Sequence, residues 1–452
     1  MRFAVREIDL FEREVRLRLP FRFGIVTLTA SPQAFVRARI RLDDGREAIG
    51  AAAELMAPKW FDKDPRLTNE QNFDQLRLSL GLARDAYLSG GANTAFGHFS
   101  AHYAPLVEAG ERRGLNSLTA CYGPALIDRA LLDALCRAVD ISFYCAIKTN
   151  AAGITAPETR GFLATLEPRT AIAARHTVGL VDPITSTERR VNDGLPETLE
   201  EVVARYGHRW YKLKVAGDAR SDVERLAAIA AVLERLPDYR ASLDGNEQYQ
   251  DVEGVLELWR RMKADRRLAR LLASVAFIEQ PLKRDVALTA DVSALASAKP
   301  VIIDESDDSL DAFPRAKALG YRGVSSKSCK GVYKALVNAA RCAAWGPQYF
   351  MTGEDLTVQA GLALQQDLAL VSLLGLSHVE RNGHHYVNGM AGLPACEQDA
   401  FLEAHPDLYE RSHGAVRLRI TAGQLAIASL DCSGYASRAM PHWQHLAEMT
   451  AS

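Results

Sequence analysis

From about residue 177 to residue 380 the chain alternates short apolar runs with longer amphipathic stretches. Strand candidates fall at 177–181, 209–215, 239–244, 274–279, 299–304, 322–327, 348–352 and 376–380. Between them the apolar period lengthens to that of a helix. The clearest case is Ser221 to Leu236, where Val223, Leu226, Ala227, Ala230, Leu233 and Leu236 share one face. Eight such repeats within some 200 residues fit a closed parallel barrel better than an open doubly wound sheet. The doubly wound alternative normally has fewer strands and a Gly-rich first turn, and this chain has no such turn.

The flanks read differently. Phe3 to Arg16 and Ala34 to Leu42 alternate apolar with charged residues and read as strands, the second ending at the turn signal Asp43-Asp44-Gly45. Between them lies an apolar stretch, Leu19 to Ala30, punctuated by Pro20 and Gly24. The period then turns helical over 71–87, 94–110 and 124–139, giving an α+β unit. Beyond about 395 alternation returns in Val416–Ile420 and Gln424–Ala428. The expected organisation is an N-terminal α+β capping domain over 1–150, a barrel over 151–392 and a C-terminal segment over 393–452 that packs back on the cap.

Composition narrows the class. With 48% hydrophobic and 24% charged residues the chain resembles an ordinary globular enzyme. A formal charge of −2 gives no electrostatic reason to expect nucleic acid or a membrane surface as partner. No apolar run approaches the roughly 20 residues that cross a bilayer, and the first residues lack the apolar core of a signal peptide. Seven scattered cysteines without a C-x-x-C pair point to reduced thiols and a cytoplasmic location.

The chemistry is concentrated at the strand ends. Asp244, Glu279 and Asp304 close three successive apolar runs, Lys212 and Lys214 precede them, and Lys327 follows. A carboxylate at the end of a buried strand is costly to desolvate unless a positive charge meets it. In a barrel these ends share one mouth, where active sites lie. Lys212 and Lys214, two apart on a strand, point the same way. Three oxygen ligands suit a hard cation such as Mg²⁺ and leave coordination positions for substrate and water. Such a cation stabilises the charge that develops when the carbon beside a carboxylate loses its proton. A lysine beside it becomes a usable base if a neighbouring ammonium and the cation lower its pKa. The same carboxylates, read plainly, are helix caps, but the flanking lysines favour the site.

The series Lys212-Leu-Lys214, Asp244-Gly-Asn246, Glu279-Gln-Pro281, Asp304-Glu-Ser306 and Lys327 resembles the enolase superfamily, and within it the muconate lactonizing enzyme-like subgroup of the mandelate racemase/muconate lactonizing enzyme family. The resemblance covers nearly the whole chain and implies a modified (β/α)7β barrel under an α+β cap completed by the C-terminal segment. It implies Mg²⁺, with Mn²⁺ able to substitute, on Asp244, Glu279 and Asp304. Lys214 and Lys327 would be the acid/base pair on opposite faces of a small carboxylate substrate. Lys212 would polarise the substrate carboxylate and depress the pKa of Lys214, and Asn246 and Glu305 would orient ligands or water. The implied reactions are racemisation or epimerisation, cycloisomerisation, or dehydration through an enediolate. A catalytically silent carboxylate-binding barrel is the alternative. Members of the family are often homo-oligomers.

The chain also departs from the family pattern. Thirty-five residues separate Asp244 from Glu279, a long interval, and the basic stretch Arg260 to Arg270 is expected to lengthen its helix. After Lys327 the usual Gly-Gly is replaced by Ser-Cys-Lys-Gly, which makes Lys330 a rival second lysine. The eighth strand carries His378-Val-Glu-Arg-Asn382 in place of the Asp-x-Asp of dipeptide epimerases. Phe21, Arg22, Glu354 and Glu380 are the expected pocket residues, with Arg22 or Arg381 as a second anion contact. His378, His384 and His385 suggest either a second metal or, more simply, residues shaping the mouth.

Overall fold

The computed structural model describes residues 1–186 and 190–450. Its N-terminal part is an antiparallel sheet of Phe3–Phe23, Val26–Leu42 and Glu47–Leu55. The apolar stretch from Leu19 to Ala30, between the first two strands in the sequence, continues both of them. Phe21 pairs with Leu28 and Phe23 with Val26, so the chain reverses at Gly24-Ile25, with Gly24 at φ 49°. A two-residue reversal of this kind needs positive φ, which glycine adopts without a Cβ penalty. Alternation along the strand turns Phe21 and Phe23 inward and Arg22 to solvent.

Helices Asn69–Ser89, Ala95–Glu111 and Tyr122–Ala138 cover this sheet. A capping box formed by Thr68 and Gln71 starts the first. Tyr122–Ala138 is buried along nearly its whole length. It approaches the third strand so closely that a Cβ at Gly50 would lie 2.2 Å from the Ala130 carbonyl oxygen. Asp133 on that helix accepts from the Ala51 N–H at 2.8 Å and the Tyr435 N–H at 2.6 Å, tying sheet, helix and C-terminal segment together.

The second part is a barrel of eight parallel strands in sequential order: Ala171–Val178, Trp210–Lys214, Arg240–Asp244, Val275–Glu279, Val301–Ile303, Gly323–Ser326, Phe350–Gly353 and His378–Arg381. The eighth strand pairs with the first, His378 opposite Ala173 and Arg381 opposite His176, which closes the cylinder. Helical segments fill the seven intervals, giving the (β/α)7β form. The first strand lies earlier than its apolar signal at 177–181. Its middle contains Arg175 and His176, which read as a polar break, yet both are buried and Arg175 pairs with Glu354.

The interval before Glu279 holds no lengthened helix. Helix Val252–Ala264 stops, the chain makes a 3₁₀ turn at Arg266–Leu268, and a second short helix, Ala269–Ser274, leads into the fourth strand. Asp265 accepts the Arg267 N–H at 2.9 Å and so starts a new turn.

The chain after residue 393 divides its contacts. Gln424–Ala426 adds antiparallel to the first barrel strand, whereas Ala447–Glu448 pairs with Phe11 and Glu12 of the N-terminal sheet. Glu397 also holds Arg13 of that sheet at 3.0 Å. No helix among the described residues is long and apolar enough to cross a membrane.

One buried acid makes stability depend on pH. Asp128 lies in the helical layer and accepts from the Tyr87 hydroxyl at 2.8 Å. Burial pushes its carboxyl up to about 8, against the lowering effect of that hydrogen bond. An unfolded aspartate titrates near ~3.9. Between these values the folded chain binds the extra proton, so this contribution is full below the unfolded pKa and is lost as pH rises through the folded one. Asp128→Asn removes the titration, and its melting temperature relative to the parent is expected to rise between about pH 5 and about pH 8. Parallel thermal melts at several pH values measure it; a difference independent of pH would contradict the assignment.

Candidate active site

Register brings the strand-end charges to one level of the barrel. Lys214 stands opposite Asp244, and Asp244 opposite Glu279. Asp304 follows the fifth strand, one residue beyond Ile303, and Lys327 follows the sixth. All are buried. The second and sixth strands face each other across an eight-stranded cylinder, so Lys214 and Lys327 approach from opposite walls.

The centre is Lys212. Its Nζ lies 2.9 Å from Asp244 Oδ2, 2.8 Å from Glu279 Oε1, 2.7 Å from Glu354 Oε2 and 3.1 Å from Glu380 Oε2. Burial alone would lower the pKa of this ammonium, but the four carboxylates outweigh it and raise the pKa well above the ordinary lysine range. Glu279 is shifted upward by burial and then by the neighbouring carboxylates of Asp244 and Glu354. Burial opposes ionisation of Asp244, yet Lys212 and Lys214 hold its carboxyl below the usual range.

Lys214 Nζ donates to Asp244 Oδ2 at 2.6 Å, and Lys327 Nζ to Asp304 Oδ2 at 2.6 Å. The Lys327 ammonium also lies over the Trp60 ring, 4.1 Å from its centre. Burial would lower the pKa of Lys327, but Asp304 reverses this and keeps the group protonated. Lys330 does not line the pocket at the mouth. It donates to the Ser325 carbonyl at 2.7 Å and Oγ at 2.8 Å, and stands 3.2 Å from Asp307 and 3.4 Å from Asp304 Oδ1.

Asn246 and Glu305 form an outer tier. The Asn246 N–H donates to Asp244 Oδ1 at 2.9 Å and its Nδ2 to Glu305 Oε1 at 3.1 Å. Lys63, from the segment after the third N-terminal strand, binds the Asn246 carbonyl at 2.6 Å and Glu305 at 3.1 Å. The segment that carries Lys63 and Trp60 has no motif, so nothing in the sequence marks either residue.

Phe21, Phe23 and Trp60 from the N-terminal part meet Lys214, Lys327 and Glu380 around one pocket at the barrel mouth. Its free volume, counted as positions open to a water centre, is ≈ 20 Å³, room for about one water. Of the expected pocket residues, Phe21 and Glu380 line it. Arg22 does not, because alternation turns it to solvent. Glu354 lies beneath the pocket, engaged by Lys212 and Arg175. Arg381 points outward and is neutralised by Asp367, so it offers no second anion contact at the mouth. Cys329 is a buried thiol, pushed well up in pKa by burial.

The donor set fits a hard cation. Glu279 Oε2, Asn246 Oδ1 and Glu305 Oε2 are buried oxygens without a hydrogen-bond partner, and carboxylate and amide oxygens are the ligands such an ion prefers. The oxygens of Asp244, Glu279 and Asp304 are, however, not gathered within 4.8 Å of one another. Each carboxylate is instead drawn to a neighbouring lysine.

An eight-stranded parallel barrel with a charged mouth beneath an antiparallel cap defines an enolase-type capped barrel. Residues 194–413 match the family model described as "Enolase C-terminal domain-like", and over nearly the whole chain the fold is that of solved mandelate racemase/muconate lactonizing enzyme proteins. The fold is shared with a mandelate racemase/muconate lactonizing protein from Herpetosiphon aurantiacus: 18% identity, 97% of this chain and 99% of that one covered, TM-score 0.61. It is shared with 2-chloromuconate cycloisomerase from Rhodococcus opacus 1CP (17%, 97% and 97%, 0.59). It is shared too with the L-Ala-D/L-Glu epimerase from Bacillus subtilis (16%, 92% and 96%, 0.58). A search of curated proteins finds no match.

Removing Lys212 tests the charge balance. Deleting one partner of a buried ionic group costs about 3–5 kcal/mol, because the remaining charges stay desolvated. Lys212→Met is expected to lower stability by about that amount at neutral pH. Urea unfolding measures it. A change below about 1 kcal/mol, the size of an exposed pair, would mean that the cluster is not buried as described.

Proposed function

We propose that this enzyme removes the proton α to the carboxylate of a small organic acid and returns it, or expels a group, on the way to product. The observation that carries the proposal is the pair of lysines, Lys214 and Lys327, that reach one enclosed pocket from opposite barrel walls, each ending on a strand-end carboxylate. Asp244, Glu279 and Asp304 are the residues that would hold a divalent cation, Mg²⁺ with Mn²⁺ as a substitute; when bound it supplies electrostatic stabilisation of the enediolate charge.

The chain's own groups divide the remaining work. Lys214 Nζ takes the α-proton on one face. Lys327, kept protonated by Asp304, delivers a proton from the other, or acts through its charge alone where one base suffices. Lys212 is locked beneath the pocket and positions Asp244 and Glu279 instead of touching substrate. Asn246 holds Asp244 in orientation and is itself held by Glu305. Phe21, Phe23 and Trp60 exclude water, which strengthens every charge interaction beneath them. With space for about one water, the pocket admits a substrate only when the Phe23–Val26 hairpin tip shifts or its side chains turn. Racemisation or epimerisation, cycloisomerisation and dehydration all begin from this step and differ in what leaves afterwards.

The test is hydrogen exchange. Incubation with a library of carboxylic acids and Mg²⁺ in D₂O, followed by mass spectrometry, is expected to find deuterium at the α-carbon of at least one acid. Lys214→Ala should slow that exchange by about 10²–10⁴-fold, the usual worth of a positioned acid or base. Tight binding without exchange across the library would support a silent carboxylate-binding barrel instead.

The ligand set has its own test. Glu279→Gln is expected to abolish Mg²⁺ binding measured by calorimetry. An unchanged affinity would show that Glu279 is not a ligand.

A further inference from the structure

The outer wall of the barrel carries a second cluster that the proton chemistry does not use. His176 lies on the first strand, His208 lies two residues before the start of the second, and His384 lies in the helical turn Gly383–Tyr386 after the eighth. Arg175 and Thr177 reach Glu354 and Glu380 inside the barrel, so His176 between them faces outward. The three rings form a nearly equilateral triangle, with centres 5.3 Å apart for His176–His208, 5.4 Å for His176–His384 and 5.3 Å for His208–His384. One ligand nitrogen from each lies within 4.8 Å of the other two. All three side chains are buried, at 2%, 0% and 5% exposure.

The nitrogens lack partners. His208 Nδ1 lies 3.0 Å from the Ala174 carbonyl. A carbonyl only accepts, so Nδ1 carries the proton and Nε2 keeps its lone pair; Nε2 has no partner. His176 Nδ1 and both nitrogens of His384 are likewise unpartnered. A buried polar atom left unpaired is destabilising, and here one ring nitrogen from each of the three histidines lies in the same small space. Burial favours the neutral imidazole, the form that ligates metal. His378, which the sequence would group with His384 and His385, stacks on Trp210 at 3.8 Å. His385 touches His176 at 5.1 Å between ring centres, outside the trio.

We propose that His176, His208 and His384 form a nitrogen-ligand site for Zn²⁺, separate from the carboxylate centre. Three imidazoles bound tetrahedrally through bonds of about 2.0 Å place their ring centres roughly 5 Å apart, the spacing of this triangle. The Ala174 carbonyl supplies the backbone acceptor that commonly fixes the tautomer of a metal-ligating histidine. Arg417, which donates to the His384 carbonyl at 3.3 Å, is the positive group at its edge and moderates affinity for a dication. The ion would clamp the seam where the eighth strand meets the first. Tyr386, two residues beyond His384, stacks on Phe21 at 4.2 Å and donates to Asp182 at 2.5 Å, so the clamp would brace one wall of the pocket.

The full chain, stripped with a chelator and returned to excess Mg²⁺, would be titrated with ZnCl₂ by calorimetry and its Zn²⁺ shell read by X-ray absorption. The expected result is a single Zn²⁺ with nitrogen ligands and a higher melting temperature, in the parent and in Glu279→Gln alike. His384→Asn should lose the binding and the thermal shift while keeping the parent circular dichroism spectrum; if it does not fold, His208→Gln provides the same comparison. Absence of Zn²⁺ binding, an all-oxygen shell, or binding undiminished in the histidine variants would overturn the site.

Discussion

The interaction on which the rest depends is the lysine at the centre of the barrel. Lys212 meets four carboxylates from the third, fourth, seventh and eighth strands. In low dielectric, such a cluster without a cation would be driven to protonate or to splay apart. With Lys212 in place, Asp244 stays ionised at the mouth and Glu279 keeps one oxygen free. Arg175 adds a second internal cation on Glu354. The barrel floor is thus a charged layer held in register by parallel strands, where many barrels are filled with branched apolar side chains.

The cap makes use of that layer. The hairpin tip lowers Phe21 and Phe23 onto the mouth, while Trp60 covers Lys327. Lys63 crosses from the cap to Glu305 and the Asn246 carbonyl, so the N-terminal part ties directly into the residues behind Asp244. The cap is therefore both a lid and a structural neighbour of the proposed cation ligands, and changes in its hairpin should be felt in substrate choice before they are felt in the chemistry.

The legible parts of the sequence were those where a local period or a strand-end charge carries the signal. Lys212-x-Lys214 requires both side chains on one face, and the barrel puts them there. The regular spacing of apolar runs marked eight strands, most within a few residues of their observed bounds. Lys330 and Arg381 were harder to judge, because a buried cation's partners come from distant chain. Lys330 is held by Ser325 and Asp307, and Arg381 by Asp367, pairings that spacing does not reveal. The first barrel strand was misplaced for a related reason: Arg175 and His176 look like a break in an apolar run until Glu354 and His208 are brought beside them.

By itself the sequence determined the repeating order of strand and helix and the order of charges along the barrel rim. These follow from periods of two and 3.6 residues and from the cost of burying a charge, which act over short spans of chain. Tertiary structure alone decided which carboxylates share Lys212, how tightly the cap closes and which histidines assemble. His176, His208 and His384 stand far apart in the chain and come together only because the eighth strand pairs with the first. That closure belongs to the whole barrel, and no local stretch of sequence encodes it.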